Sequence, residues 1–275
     1  MYCIFSLLYD ITITEFHLQC KGIKILGGDN MNLSEDVAFA LHEQWRQTRL
    51  KDDGSYDPRW KKIKDEAFIS KFEGVELPRY VRKGENGYEI DIANASYLQL
   101  SSDWQEENKE AAKVVAKMIE SGISYSENEI KNADEIRNKI GSEIHNAWLE
   151  RNSWAKDGEL GVPFKELPKE EQDKDIDQYA VALKMSKARI LSARATLTLE
   201  DAVDELKRLK EKNYNVAIKF NGHMLYSEFD TPDTCFLKVC GMTMKECLDE
   251  IEKENKRFEE KLKKSSQKPG TGMGE

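Results

Sequence analysis

Three side chains near the start of the chain have the types and spacing to recognise a planar anion. His42, Trp45 and Arg49 stand at i, i+3 and i+7, so a helix would carry an imidazole, an indole and a guanidinium on one face. Trp and His offer flat faces for a base, and stacking on an aromatic is worth about 1–3 kcal/mol. Arg offers a planar fork suited to phosphate or carboxylate. His145, Trp148 and Asn152 repeat the spacing a hundred residues on. If the two helices face each other, both His-Trp pairs line one cleft, with Tyr56 and Arg151 completing the candidate ligand-binding set. The same spacing also suits packing, because a core-facing Trp fills volume and a nearby His caps or hydrogen-bonds.

Charge favours an anion at the first of these places. From Arg46 to Lys64 there are seven basic residues (46, 49, 51, 59, 61, 62, 64) against three acids (52, 53, 57), a local surplus of cations. The chain as a whole has 42 Lys+Arg, 51 Asp+Glu and a net charge of -9, so a basic segment stands out against an acidic background. The acidic total argues against general nucleic-acid binding, which needs many cations to neutralise phosphates. Arg59-Trp60-Lys61-Lys62 itself reads as a solvated face or as a phosphate site.

Chemistry of other kinds is not signalled. The sequence contains no G-x-x-x-x-G-K-[ST], G-x-G-x-x-G or H-E-x-x-H. Cys235, Cys240 and Cys247 are separated by four and six residues in turn, a spacing that fits small buried hydrophobes better than a zinc site. No Ser/His/Asp set or metal cluster can be assembled, so the expectation is ligand binding without catalysis and without a cofactor or metal. Five Cys, an odd number, make no disulfide framework, and a reducing cytoplasm is the expected compartment. No run approaches the roughly 20 apolar residues that span a bilayer.

The elements that must position these residues come in two copies. Leu41-His42-x-x-Trp45 matches Ile144-His145-x-x-Trp148, and Tyr97-x-x-Leu100 matches Phe164-x-x-Leu167. From there the copies run without a gap, pairing Gln105 with Gln172, Lys117 with Lys184 and Met118 with Met185. Each unit reads as a helix, an irregular loop, an aromatic-x-x-Leu element and a second helix. In the second helices Ala112, Val115, Ala116 and Ile119 share a face, as do Tyr179, Ala182 and Leu183. A pair this short cannot bury its stripe alone, so the two units should pack together with pseudo-two-fold symmetry. The first loop is longer by 36 residues and includes Tyr88-Glu89-Ile90-Asp91-Ile92, an alternation typical of a strand. Ser34-Glu35-Asp36 should open the first helix, and Ser126-x-x-Glu129 a linking helix.

His42-Glu43-x-Trp45-x-x-Thr48-Arg49, followed by Gly54-x-Tyr56-x-Pro58, resembles the signature of the RyR repeat, the module named from ryanodine receptors and also found in bacterial and phage proteins. The aromatic-x-x-Leu element fits the same family. The second copy is similar to its shorter bacterial form through His145, Trp148 and Phe164-x-x-Leu167-Pro168, but it lacks the Gly-x-Tyr loop and has Asn152 in step with Arg49. The likeness covers about residues 37–190. It implies helical modules that work in pairs as ligand-sensing units, with a Trp-lined pocket for an adenine nucleotide or a similar planar molecule. As a competing expectation, the helices and acidic surface would serve a protein–protein adaptor.

The expected fold class is therefore mainly α: two related helical repeats (31–122 and 123–190) and a small α+β module (191–264). In that module Thr198-x-x-Asp201 opens a helix, and Val216, Ile218 and Phe220 lead through Asn221-Gly222 into a hairpin return at Leu225-Tyr226. Thr231-Pro232-Asp233 starts a helix that Gly241 ends, and Thr243-x-x-Glu246 opens a long charged one. Residues 265–275 read as a flexible tail. Residues 1–30 differ from the rest in composition. Back-translation of Gly27-Gly28 shortly before Met31 spells a ribosome-binding element, so this stretch is expected to be untranslated leader of a bacterial or phage gene that starts at Met31.

Overall fold

The computed structural model describes residues 33–192 and 197–266, so the expectations for 1–30 and for most of 265–275 fall outside it. Among the described residues the chain is 57% helical, with nine α-helices and two small sheets. Four long helices build the body: α1 (Leu33–Gln47), α3 (Ser102–Glu120), α5 (Asp134–Arg151) and α6 (Lys169–Ser186). The second helix of each unit takes the centre. α3 and α6 pack on each other and on both α1 and α5, whereas α1 and α5 share no substantial contact. The cause is their apolar stripes: Ala112, Val115, Ala116 and Met118 of α3 are buried, as are Tyr179, Ala182, Leu183 and Met185 of α6. The first helices are thereby held on the flanks.

Short elements aim the long ones. Tyr97–Gln99 and Phe164–Glu166 are single 3-10 turns, and the buried Tyr97 and Phe164 anchor the starts of α3 and α6. Gln105 donates to the Tyr97 carbonyl at 3.1 Å, and its counterpart Gln172 to the Leu167 carbonyl at 2.9 Å. Phe164 presses so closely on α5 that a Cβ at Gly141 would lie 2.1 Å from its ring. Ser126 and Glu129 form the expected capping box, but it opens only a short helix, α4 (Glu127–Asn132), before α5 begins. Ser34 lies inside α1 rather than ahead of it, because the helix already includes Leu33.

The long first loop folds into a sheet. β1 (Trp60–Lys62), β2 (Val81–Gly84) and β3 (Gly87–Asp91) order as β1-β3-β2, all antiparallel, with α2 (Glu66–Ser70) between β1 and β2. Val81 and Ile90, opposite each other, bury one face of it in the main core.

The C-terminal module begins with strand β4 (Arg189–Ser192), straight after α6, where sequence reading opened the module at residue 191. β4 runs parallel to β5 (Val216–Phe220), a pairing that requires a crossover, and α7 (Leu199–Glu211) supplies it. β5 turns through Asn221 (φ 47) and Gly222 (φ 85) into β6 (His223–Tyr226). α8 (Pro232–Cys240) and α9 (Met244–Ser266) complete the unit. Its own core joins Leu199, Leu206, Ile218, Phe220, Leu225 and Phe236 with the buried thiols of Cys235, Cys240 and Cys247. The module is also joined to the body. Ala217 and Tyr226 belong to the main core, and Asn215 donates to the Lys184 carbonyl at 2.7 Å. Tyr226 donates its hydroxyl hydrogen to Asp36 at 2.9 Å. No helix among the described residues is long and apolar enough to cross a membrane.

Candidate functional site

His42 lies deep in the fold. α1 buries Val37, Phe39 and Ala40 against α3, and the next turn brings a polar face onto the loop from Asp91 to Tyr97. The His42 Nε2 is 3.1 Å from the Ala95 carbonyl, which can only accept, so Nε2 carries the hydrogen. Arg46 Nε donates to the Ala93 carbonyl at 2.8 Å, and Glu43 accepts the Tyr97 amide at 2.9 Å. Glu43 and Arg46 also pair with each other at 2.5 Å, so both charges are compensated inside the protein. Burial lowers the His42 pKa to about 4, against the pull of the Ala95 carbonyl, and the Arg46 charge lowers it further. Burial likewise raises Glu43, with Arg46 opposing. Three adjacent side chains of one helix therefore hold the loop that launches α3.

His145 does the same work in the second unit. Its Nε2 lies 3.1 Å from the Leu160 carbonyl and 3.0 Å from that of Val162. Val162 precedes Phe164 by two residues, as Ala95 precedes Tyr97, so both histidines latch the carbonyl two residues before the buried aromatic. The Nδ1 of His145 faces Asp175 at 3.6 Å, and burial raises the Asp175 pKa to about 7, with Glu171 adding to it.

The tryptophans stack on these latches from outside. Trp45 and His42 have ring centroids 5.8 Å apart, Trp148 and His145 5.9 Å, and both indoles are half-buried. Their outer surroundings differ. Trp45 carries two guanidiniums, Arg49 at 5.6 Å and Arg59 at 5.7 Å from the ring centroid. Arg49 is held by the Asp57 carbonyl at 3.0 Å and the Asp57 carboxylate at 2.6 Å. Arg59 is exposed and has no carboxylate within ion-pair distance among the described residues. Tyr56 lies under Arg46 at 4.6 Å and accepts a hydrogen bond from Gln47. The loop that carries it turns back at Gly54, whose φ of 79 suits glycine. Trp148 instead meets Trp154 edge-on at 6.0 Å, and Trp154 is 75% exposed. Asn152 donates to the Trp148 carbonyl at 3.1 Å, and Arg151 buries its Nε without a hydrogen-bond partner among the described residues.

The structure thus divides the expected ligand set. Trp45, Arg49 and Tyr56 sit together on one flank, and His145, Trp148 and Arg151 on another, with α3 and α6 between. The helices that carry the two His-x-x-Trp pairs, α1 and α5, share no substantial contact among the described residues. His42 and His145 are buried beneath their indoles. The sequence presents Glu43 only within the RyR-like signature, and Arg46 and Arg59 only within a basic run. The spacing of Glu43 and Arg46, i and i+3 beside His42, was the available sign of a paired, inward-facing polar face. Among the described residues no group of three or more His, Cys, Asp or Glu could hold a metal. No known protein family, curated protein or solved structure matches this chain.

Proposed function

We propose that this is a cytoplasmic, non-enzymatic binding protein built on tandem RyR-like repeats, which captures a nucleotide-like anion on the Trp45 flank of the first. The observation that carries the reading is the pair of guanidiniums on one indole, with Arg59 exposed and lacking a carboxylate. An indole already faced by cations is a poorer seat for a base than a bare one. Its role here is to orient Arg49 and Arg59 toward a phosphate or carboxylate, with cation–π contacts of about 0.5–1 kcal/mol each at an exposed site. The latch shared by His42 and His145 supports the repeat assignment, and it also supports binding over catalysis because both imidazoles are committed to backbone carbonyls. The buried Cys235, Cys240 and Cys247, present as thiols, support a reducing compartment. The same site would serve a sensor or a sequestering sink.

The test is a thermal-shift and calorimetric titration with AMP, ADP and ATP beside uncharged adenosine. The phosphates should raise the melting temperature according to RT ln(1 + [L]/Kd), and adenosine should not. Arg59→Gln should remove the shift without lowering the unliganded melting temperature. No shift with any nucleotide would reject the reading. A second reading, a protein–protein adaptor, is favoured by Trp154, since exposed Trp is enriched among the residues that dominate interfaces. Under it, Trp154→Ser abolishes capture of a specific partner and nucleotides leave the melt unchanged.

A further inference from the structure

A cavity of about 400 Å³ opens where α2, the Leu98–Gln105 segment and Gly241 of the C-terminal module meet. It lies within the range of about 300–1,000 Å³ typical of small-molecule sites. Part of its wall is apolar: Phe68 and Phe72 meet edge-to-face at 5.3 Å, and Tyr80, Leu98 and Leu100 continue that surface beside Asp65, Lys71, Gln99, Ser102 and Gln105. Leu98 is 42% exposed although it is large and apolar.

The polar groups at this wall divide unevenly. Asp65 is fully used. One carboxylate oxygen accepts the Phe68 amide at 2.9 Å, the other the Ser102 amide at 3.2 Å and its hydroxyl at 2.6 Å. Burial raises the Tyr80 hydroxyl pKa and the nearby Glu246 adds to the rise; one carboxylate oxygen of Glu246 accepts the Thr243 amide and hydroxyl. Lys71, in contrast, has no carboxylate within ion-pair distance among the described residues, and its ammonium rests 5.3 Å over the Phe68 ring. Gln99 uses its carbonyl on the Ser96 amide and leaves its NH₂ group open. Gln105 uses its NH₂ on the Tyr97 carbonyl and leaves its carbonyl open. The open valences are therefore mostly donors, from Lys71, Gln99 and the Tyr80 hydroxyl, against the Gln105 amide carbonyl and the second Glu246 oxygen.

We propose that this cavity is a second ligand site, separate from the Trp45 flank, and that it takes a small aromatic or branched aliphatic molecule bearing one carboxylate or sulfonate. The apolar body lies against Phe72, Tyr80 and Leu98, and the anionic end meets Lys71 and the Gln99 amide. Because Gly241 closes one side, the bound molecule would touch the inserted sheet region and the C-terminal module together.

The full chain is titrated with two fluorescent probes of one shape class, the anionic anilinonaphthalene sulfonate and the neutral phenylnaphthylamine. The anionic probe should bind saturably at one site per chain. Lys71→Met, which keeps the aliphatic stem, should weaken it about tenfold and leave the neutral probe within about twofold, since a hydrogen bond to a charged group is worth roughly that much. Leu98→Trp, a filling change at an exposed position, should exclude both probes while the circular dichroism melt is retained. Arg59→Gln should change neither, which separates failure here from failure of the nucleotide reading. Equal binding of the anionic probe to Lys71→Met and the parent, or its loss in Arg59→Gln, would overturn the proposal.

Discussion

Asp36→Asn tests how the C-terminal module is fastened to the body. Asp36 lies in the first turn of α1 and is only 2% exposed, because β6 folds over it. One carboxylate oxygen accepts the Tyr226 hydroxyl at 2.9 Å, and the other has no hydrogen-bond partner among the described residues. Around it stand Lys238, which is paired with Asp230 at 2.8 Å, and the neighbouring Glu35. Burial raises the Asp36 pKa from 3.8 to about 6; Lys238 and Tyr226 oppose the rise, and Asp230 and Glu35 add to it. The folded state thus holds this proton more tightly than the unfolded chain. Its contribution to stability is present in full below the unfolded pKa and is lost as pH rises through the folded one. A rise of that size corresponds to about 3 kcal/mol. Asn keeps an acceptor for Tyr226 but cannot ionise, so the variant escapes the loss.

Urea unfolding of parent and variant at pH values from about 4 to about 8 gives the difference directly, and every other titrating group cancels in it. An amide buried without a partner costs about 1–3 kcal/mol at all pH, which offsets the curve without bending it. The expected result is a difference that moves toward the variant between about pH 4 and pH 6, by roughly 2–3 kcal/mol, and levels off near pH 7. A difference that stays flat, or moves toward the parent, refutes the reasoning.

Two further predictions bear on the scaffold. His42 titrates in the opposite sense: its folded pKa is lowered to about 4, so its contribution is complete above the unfolded value near 6.5 and is lost as pH falls toward 4, by about 3 kcal/mol. His42→Gln, with an amide N–H for the Ala95 carbonyl, should flatten that acid limb in the same urea series, and an unchanged limb would count against burial as the cause. Gly141→Ala should lower stability by about 1–3 kcal/mol or more through overpacking, because the new methyl meets the Phe164 ring at 2.1 Å. A melting temperature raised by the better helix former would show that the ring can move aside.

Local signals were legible in the sequence and long-range pairings were not. Thr198-x-x-Asp201, Ser126-x-x-Glu129, Asn221-Gly222 and Gly241 each act within a few residues, and each forms the cap or turn that its chemistry implies. Strand β4 had no such sign. Arg189-Ile190-Leu191-Ser192 becomes a strand only by parallel pairing with Val216–Lys219, reached through a whole helix. β1 and β2 are too short to alternate visibly. Asp36 read as an ordinary acidic residue in a helix's first turn, and its burial comes from Tyr226, 190 residues away. Composition cannot show that a distant module will cover a helix end.

The likeness between the two helical units explains why the candidate site was only half legible. Residues that both units share must build what both units have in common, and here that is the latch. His42 and His145 reach equivalent carbonyls, Trp45 and Trp148 cover them, and Tyr97 and Phe164 anchor the turns that follow. Matching the copies therefore finds the scaffold first. Unit-specific function has to come from residues that only one copy carries. In the first unit these are Arg49, Arg59 and Tyr56, which surround Trp45 with cations and a phenol; in the second they are Asn152 and Trp154, which cap the helix end and expose an indole. The surplus of positive charge in residues 46–64 belongs to this unshared set. An anion drawn to that charge meets guanidiniums on Trp45, whereas the second flank presents a bare aromatic edge. The two units use one latch to hold two different outer surfaces, and ligand recognition is expected to differ between them.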